Sequence, residues 1–204
     1  MAKLEPLTSP ANPLVKQARR AIERGGLTLD GYCVAETYHL VEEAFRSGRD
    51  VQAVLVSESA RGELERRVRI PGRVRVAILP DALFRDLAST ESTQGVMALV
   101  RPPEWTLEQV LGGRQALVMV LDGIQDPGNA GTILRAAEAF GATGSLFLKG
   151  SASPYNPKAV RASTGSLFRV PLVAGVDAEA ALAALQHRGL RIYAASPFGR
   201  NVMD

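Results

Sequence analysis

The sequence predicts an α/β chain in two units. A small N-terminal α/β unit occupies residues 1–100, and a parallel-sheet unit occupies 106–204, with a linker at 101–105. Three observations carry this. Short apolar runs alternate with stretches of helical period along most of the chain. The alternation is broken once, by the stiff and polar Arg101-Pro102-Pro103-Glu104. It then restarts at residues 116–121, an almost unbroken apolar run of the kind a parallel sheet buries on both faces.

Taken in order, Asn12-Pro13 opens a helix whose Leu14, Ala18, Ala21 and Ile22 share a face, and Gly25-Gly26 ends it. Strands are expected at 32–35, 51–56, 74–79 and 95–100, with helices at 38–46, 60–68 and 81–87 between them. Thr106 and Gln109 are spaced as a capping box for the next helix. In the second unit strands are expected at 116–121, 145–148, 167–173 and 190–194, with helices at 131–140, 157–162 and 178–187.

Composition narrows the chemistry. Of 204 residues 46% are hydrophobic and 22% charged, which excludes a disordered or collagen-like chain. The opening residues do not resemble a signal or transit peptide, and a cytoplasmic protein is expected. Cys33, His39 and His187 are too few soft ligands for a zinc site, so no metal is expected. There is no Gly-x-Ser-x-Gly elbow for a serine nucleophile. Cys33 and Trp105 read as packing residues, and His39 as a helix-surface residue. The net charge of +3 is modest but uneven. Arg61, Arg66, Arg67, Arg69, Arg73 and Arg75 face only Glu63 and Glu65, and Lys16, Arg19, Arg20 and Arg24 face only Glu23. Such clusters suit a polyanion or are plain solvated faces.

Two stretches carry the chemistry. In the first, a buried run leads through Asp126-Pro127-Gly128-Asn129-Ala130-Gly131 into a helix that contains Arg135. Helix N-termini in that position attract anions, but neither a P-loop nor a dinucleotide fingerprint is present. Ile133, Leu134, Ala137 and Phe140 form one face of this helix, and Thr132, Arg135 and Glu138 the other. Arg135 is then either an ion-pair partner of Glu138 or a free guanidinium for phosphate or ribose. In the second stretch Asn156 caps a short helix carrying Lys158 and Arg161, followed by Ser163, Thr164 and Gly165. It reads as an ordinary capped helix or as a basic shelf.

In this order and spacing the two stretches resemble the first two motifs of the SpoU branch of the SPOUT RNA methyltransferases. The first motif, Asn-x-Gly-x-x-x-Arg, is matched by Asn129, Gly131 and Arg135, and the second by Lys158, Arg161, Ser163 and Gly165. In the first unit, residues 8–16, Glu36 with residues 40–44, and residues 93–98 resemble that branch's substrate-binding domain. Thr37 departs from the glycine that relatives usually carry there.

The resemblance implies an S-adenosylmethionine-dependent 2′-O-methyltransferase acting on structured RNA, chiefly ribosomal RNA, and working as a homodimer. It implies catalytic roles for Arg135 and Asn129. RNA contacts are implied at Lys16, Arg19, Arg20, Glu36, Lys158, Arg161 and Ser163, and a cofactor edge at Ser196 and Pro197. It further implies a C-terminal tail, with Gly-x-Glu and Ser-Leu-Asn-Val motifs, that forms a trefoil knot. Those motifs do not occur in this sequence, so an incomplete SPOUT domain is expected. A non-catalytic RNA-binding protein of the same fold, or a nucleotide-binding enzyme using the loop at Gly128, are the competing readings.

Overall fold

A computed structural model describes residues 3–113 and 115–195. The first unit is a five-stranded mixed sheet. Its strands are β1 (Lys3–Pro6), β2 (Cys33–Glu36), β3 (Val51–Ser57), β4 (Arg75–Leu79) and β5 (Val96–Val100), in the order β1-β4-β3-β5-β2. β1, β4 and β3 run parallel, and β5 is antiparallel to both β3 and β2. β1 was not expected; four residues at a sheet edge are too short for alternation to be read.

Helices α1 (Pro13–Arg24) and α4 (Asp81–Leu87) cover one face of this sheet, packing Val15, Ala18 and Phe84 on Leu55, Ala77 and Met97. Helices α2 (Tyr38–Arg46) and α3 (Arg61–Arg67) lie on the other face. The remaining elements are α5 (Leu107–Val110), β6 (Val118–Leu121), α6 (Pro127–Ala139), β7 (Gly144–Leu148), α7 (Pro157–Ala162), β8 (Leu172–Val176) and α8 (Ala178–His187). β6, β7 and β8 form a parallel three-stranded sheet in that order.

The two sheets share one apolar core. Val160, Leu167 and Phe168 of the second half pack in the same cluster as Ala35, Leu40, Val41 and Ala44 of the first. Cys33 lies in this core, and burial pushes its thiol up to about 12, which leaves it a small inert hydrophobe. Residues 101–106 join the halves without regular structure, and Arg101 lies over the Tyr32 ring at 4.3 Å.

Four expectations are corrected. Residues 167–173 are not one strand: Ser166–Phe168 is a single 3-10 turn, and β8 begins only at Leu172. Residues 190–194 carry no strand, although their apolar pattern predicted one, and Ile192 and Tyr193 are exposed. β6 therefore pairs only with β7 among the described residues, and Met119 and Val120 are exposed rather than covered on both faces. Phe140 is 83% exposed, because α6 ends at Ala139 and its last turn leaves the core.

Thr37, the residue that departs from the family's glycine, sits at φ 131° and ψ 152° while capping α2. Its hydroxyl accepts from Leu40 N at 3.2 Å. A side chain in that region of φ costs roughly 1–3 kcal/mol. Exchanging a threonine cap for glycine costs only a few tenths, and the extra chain entropy of glycine about 0.5–1 kcal/mol. Thr37→Gly is therefore expected to raise the urea midpoint. Thr37→Ala, which keeps the strain and loses the cap, is expected to lower it. Equal midpoints for the two variants would remove the strain.

Candidate functional site

The site is built where α6 and α7 cross beneath the carboxyl ends of the second sheet. Asp126 caps α6, its Oδ1 accepting from Asn129 N at 2.8 Å, and Pro127 fills the first turn. Asn156 caps α7 in the same way, accepting from Lys158 N at 2.9 Å. The helices meet closely. A side chain on Gly131 would lie 2.2 Å from the Ala159 carbonyl oxygen, so the glycine of the first motif is a contact point between backbones. Lys158 Nζ spans the crossing to Asp126 Oδ2 at 2.5 Å. That hydrogen bond, with the backbone bond from Asn129, holds the Asp126 carboxyl below its ordinary range.

Glu138 is the choice the sequence left open, and it is not paired with Arg135. It accepts from Arg169 Nε at 2.6 Å and from Ser166 Oγ at 2.6 Å. These bonds, the arginine's first, lower its pKa. Arg169 also reaches Glu43, which is buried on α2 and accepts from Arg46 as well. Arg135 is exposed and makes no ion pair with any described residue, and Asn129 is exposed beside the cap.

The expected RNA contacts divide. Lys16 and Arg20 are exposed on α1. Arg19 is half-buried and binds Asp86 at 2.6 Å. Glu36 is 2% exposed and accepts from Ser89 N at 3.2 Å, from Ser89 Oγ and from Thr90 Oγ1 at 3.1 Å. Arg161 donates to Ser89 Oγ at 3.0 Å and lies 3.7 Å from Glu36 Oε2. Ser163 is 1% exposed and donates to the Val160 carbonyl. Glu36 and Ser163 are thus internal here, and Arg161 joins the two halves of the chain.

The small residues 163–166 let α2 approach. Gly165 has φ 93°, and a side chain there would meet Glu43 at 3.0 Å, while His39 Nε2 lies 3.3 Å from the Thr164 carbonyl. Three of the six arginines in the 61–75 cluster pair within α3, Arg61 with Glu65 and Arg66 and Arg67 with Glu63, and Arg75 pairs with Glu5 of β1. The Glu43–Arg169–Glu138 bridge was missed. Its one sequence signal is Glu43, a carboxylate three residues from Leu40 on the apolar face of α2.

Both Asp126 and Glu138 are depressed, so their stabilising contribution is complete above the ordinary carboxylate pKa of about 4. It is lost as pH falls through their lowered values in the folded state. The unfolding midpoint is expected to hold between about pH 7 and pH 5 and then drop, and the drop should be shallower in Glu138→Gln. An identical acid limb in that variant would exclude the Glu138 contribution.

The loops after β6 and β7 lie side by side, with Ala152 N donating to Ile124 O at 2.7 Å and Gln125 Nε2 to Gly150 O at 2.6 Å. They leave a shelf of backbone and small side chains outside the carboxyl ends of parallel strands, where open α/β sheets bind ligands. Side chains at Gly123 or Gly150 would meet no atom within 4 Å, and Asp122 is exposed at the strand end. An uncrowded shelf with an exposed carboxylate that makes no ion pair among the described residues fits a nucleoside bearing a sulfonium cation. Ser196 and Pro197 lie outside the described residues. Among the described residues no cluster of three or more His, Cys, Asp or Glu could hold a metal, and no helix is long and apolar enough to cross a membrane.

Residues 116–204 match the family model described as SpoU rRNA Methylase family, and residues 12–98 match the MRM3-like substrate binding domain. The chain is 30% identical over 174 residues to the 23S rRNA (guanosine(2553)-2'-O)-methyltransferase RlmP of Bacillus subtilis, covering 83% of this chain and 65% of that protein. It is 38% identical over 111 residues to the 23S rRNA (uridine(2479)-2'-O)-methyltransferase of Streptomyces viridochromogenes, covering 54% of this chain and 38% of that one. The chain thus spans less than two thirds of either relative. Among solved structures it resembles an RNA 2'-O ribose methyltransferase with a TM-score of 0.73 and 26% identity, over 95% of this chain and 74% of that one. It also resembles the SpoU methyltransferase AviRb from Streptomyces viridochromogenes in complex with AdoMet, with a TM-score of 0.70 and 26% identity, over 87% of this chain and 68% of that one. With one helix crossing that places both motifs and two matches that divide the chain between them, the protein belongs to the SpoU rRNA methylase family and carries an MRM3-like substrate-binding domain ahead of its methylase segment.

Proposed function

We propose that the protein methylates a ribose 2′-hydroxyl of structured RNA, ribosomal RNA above all, using S-adenosylmethionine, as a cytoplasmic homodimer. One observation carries the reading. Of the cations in the two motifs, Lys158 is held by Asp126 and Arg161 by Ser89 and Glu36, while Arg135 is exposed without an ion pair among the described residues. An exposed guanidinium on the same helix as Asn129, left bare by its neighbours, suits a phosphate and an oxygen that gains charge. Asn129 stands exposed at the same helix start, where its amide suits a ribose hydroxyl.

The cofactor supplies an activated methyl group on sulfur, so a new C–O bond forms as the C–S bond breaks. The shelf of Gly123, Gly150 and Ser151 would hold it, with Asp122 near the cationic sulfur, and Ser196 and Pro197 remain part of this proposal. Arg135 stays protonated and is not the base. It clamps the neighbouring phosphate and stabilises the 2′-oxygen as that oxygen passes its proton to solvent water. Residues 1–100 serve as the RNA-binding domain and 106–204 as a SPOUT methyltransferase domain. Exposed Leu117, Met119 and Phe140 give the second half an apolar surface for a partner copy. Light scattering that gives only monomer at micromolar concentration would exclude the dimer.

Methyl incorporation into transcribed ribosomal RNA fragments tests the activity. RNA that binds without incorporation, together with no S-adenosylmethionine binding by calorimetry, would leave an RNA-binding protein only. Lys16→Glu and Arg20→Glu are expected to weaken RNA binding across sequences and to reduce the slope of log K against log salt by about one for each phosphate that the protein no longer binds. Arg19→Glu should do less to that slope, since Asp86 already engages Arg19. Affinity indifferent to salt and to all three changes would remove α1 from the RNA surface.

A further inference from the structure

A cavity of about 360 Å³ opens in the first half, away from the α6–α7 crossing. Ser57 and Ser59 at the end of β3, Asp81 and Arg85 of α4, and Thr93 and Gln94 ahead of β5 line it. Its size is that of a small-molecule site, but its mouth is open and its walls are polar. A free metabolite needs enclosure and apolar surface. A base that arrives on a strand held elsewhere does not.

The unused hydrogen-bonding capacity is specific. Asp81 Oδ1 accepts from Ser59 N at 3.0 Å and Ser59 Oγ at 2.9 Å, while Oδ2 has no partner among the described residues. The Ser59 bonds hold the Asp81 carboxyl below its ordinary range, so it is an acceptor and not a donor at neutral pH. Gln94 accepts from Tyr38 N at 3.0 Å through Oε1, which turns its amide nitrogen into the free, donating end. The Thr93 oxygen accepts from Gly95 N, leaving its hydroxyl hydrogen available. Arg85 is exposed at the rim without an ion pair among the described residues.

We propose that this cavity receives an unpaired guanine of the RNA substrate. Asp81 Oδ2, the carboxylate oxygen that Ser59 leaves open, takes its N1–H and N2–H donors together, Gln94 and Thr93 face its acceptors, and Arg85 meets the adjoining phosphate. Guanine presents two adjacent donors that can converge on one acceptor oxygen. Adenine and cytosine set one amino group beside an acceptor that repels it, and uracil flanks its single donor with two acceptors. Unstacked bases in single-stranded loops are the usual targets of sequence-specific RNA readers. The same loop ties the cavity to the methylase half, because Ser89 and Thr90, just before Thr93, bind Glu36, and Ser89 also receives Arg161. The proposal rests on the RNA reading of Proposed function and adds to it the base that the first half recognises.

The test is a titration of the protein with GMP, AMP, CMP and UMP followed by amide NMR. GMP is expected to shift Ser59, Asp81 and the Gln94 side-chain amide at concentrations where the other three do not. Asp81→Asn keeps an oxygen for Ser59 N–H but replaces the open acceptor Oδ2 by a donor, and should weaken GMP by about tenfold. Arg85→Ala should weaken all four nucleotides alike and leave guanine preferred. An equal response to the four nucleotides, shifts elsewhere, or unchanged GMP binding by folded Asp81→Asn overturns the guanine site. Short single-stranded RNAs with one guanine, or adenine in its place, complete the test. Equal affinity for the two overturns the guanine site and leaves the RNA reading standing. GMP binding without affinity for either RNA overturns the RNA-base site and makes the cavity a mononucleotide site instead, while methyl incorporation into ribosomal RNA fragments decides the RNA reading itself.

Discussion

Gly131→Ala is expected to cost the fold about 3 kcal/mol, a fall of roughly 10 °C in the melting temperature. The added carbon would stand 2.2 Å from the Ala159 carbonyl oxygen, 2.8 Å from Ala162 Cβ and 3.0 Å from the Ala159 carbonyl carbon. Two of those atoms are backbone of α7, which is fixed by its own helix and by the core residue Val160. They cannot turn aside as the end of a side chain can, so α6 and α7 must part. The gain in helix propensity from glycine to alanine, about 1 kcal/mol, does not offset this. Gly128→Ala is the control. There the added carbon meets Asp126 Oδ1 at 2.8 Å and Lys158 Cε at 3.0 Å, ends of side chains that can move. It should cost under about 1 kcal/mol and loosen the Asp126–Lys158 pair. Denaturation of the two variants side by side decides the matter. Equal stability would mean that the crossing is not the tight contact its geometry requires.

The sequence made the alternation of strands and helices legible, because apolar runs of four to seven residues and helical faces differ in period. The capping residues Asn12, Thr106 and Asn156 were legible for the same local reason. What escaped depends on chain segments far apart. β1 exists because it finds the edge of β4, and residues 190–194 lie outside any strand although their alternation suits one. Periodicity reports the tendency to be a strand, and the presence of a neighbour to pair with decides whether one forms. The site shows the same division. Asn129, Gly131 and Arg135 stood out only through their resemblance to the first family motif, since the helical period alone left Arg135 either a pair of Glu138 or a free guanidinium. That Glu138 would turn to Arg169 could not be read at all, since Glu138 Oε1 and Arg169 Nε meet 31 residues apart. Arg161 and Glu36 looked like two RNA contacts from their separate motifs. They meet across the two halves, and neither motif contains that information.

Arg135→Ala is expected to reduce methyl transfer to ribosomal RNA by about 10²- to 10³-fold, the loss typical of a preorganised donor to a developing anion. The fall should appear in kcat more than in RNA affinity, because the 2′-oxygen gains its charge only on the way to the transition state. S-adenosylmethionine binding should stay nearly unchanged, since Arg135 is exposed on α6 and the shelf is formed by the loops after β6 and β7. The fold should barely notice. Arg135 makes no ion pair with a described residue, and exposed substitutions of that kind stay within about 0.5 kcal/mol. Arg135→Lys should rescue little, as an ammonium lacks the planar fork that can meet phosphate and ribose oxygens together. Lys158→Ala gives a contrasting result. It frees Asp126, the cap of α6, and should weaken the start of the helix as well as activity. Methyl incorporation, calorimetry with S-adenosylmethionine and a melting curve on the same samples separate these effects. Near-normal turnover in Arg135→Ala removes it from the mechanism. Loss of cofactor binding in that variant would place it in the pocket rather than at the RNA.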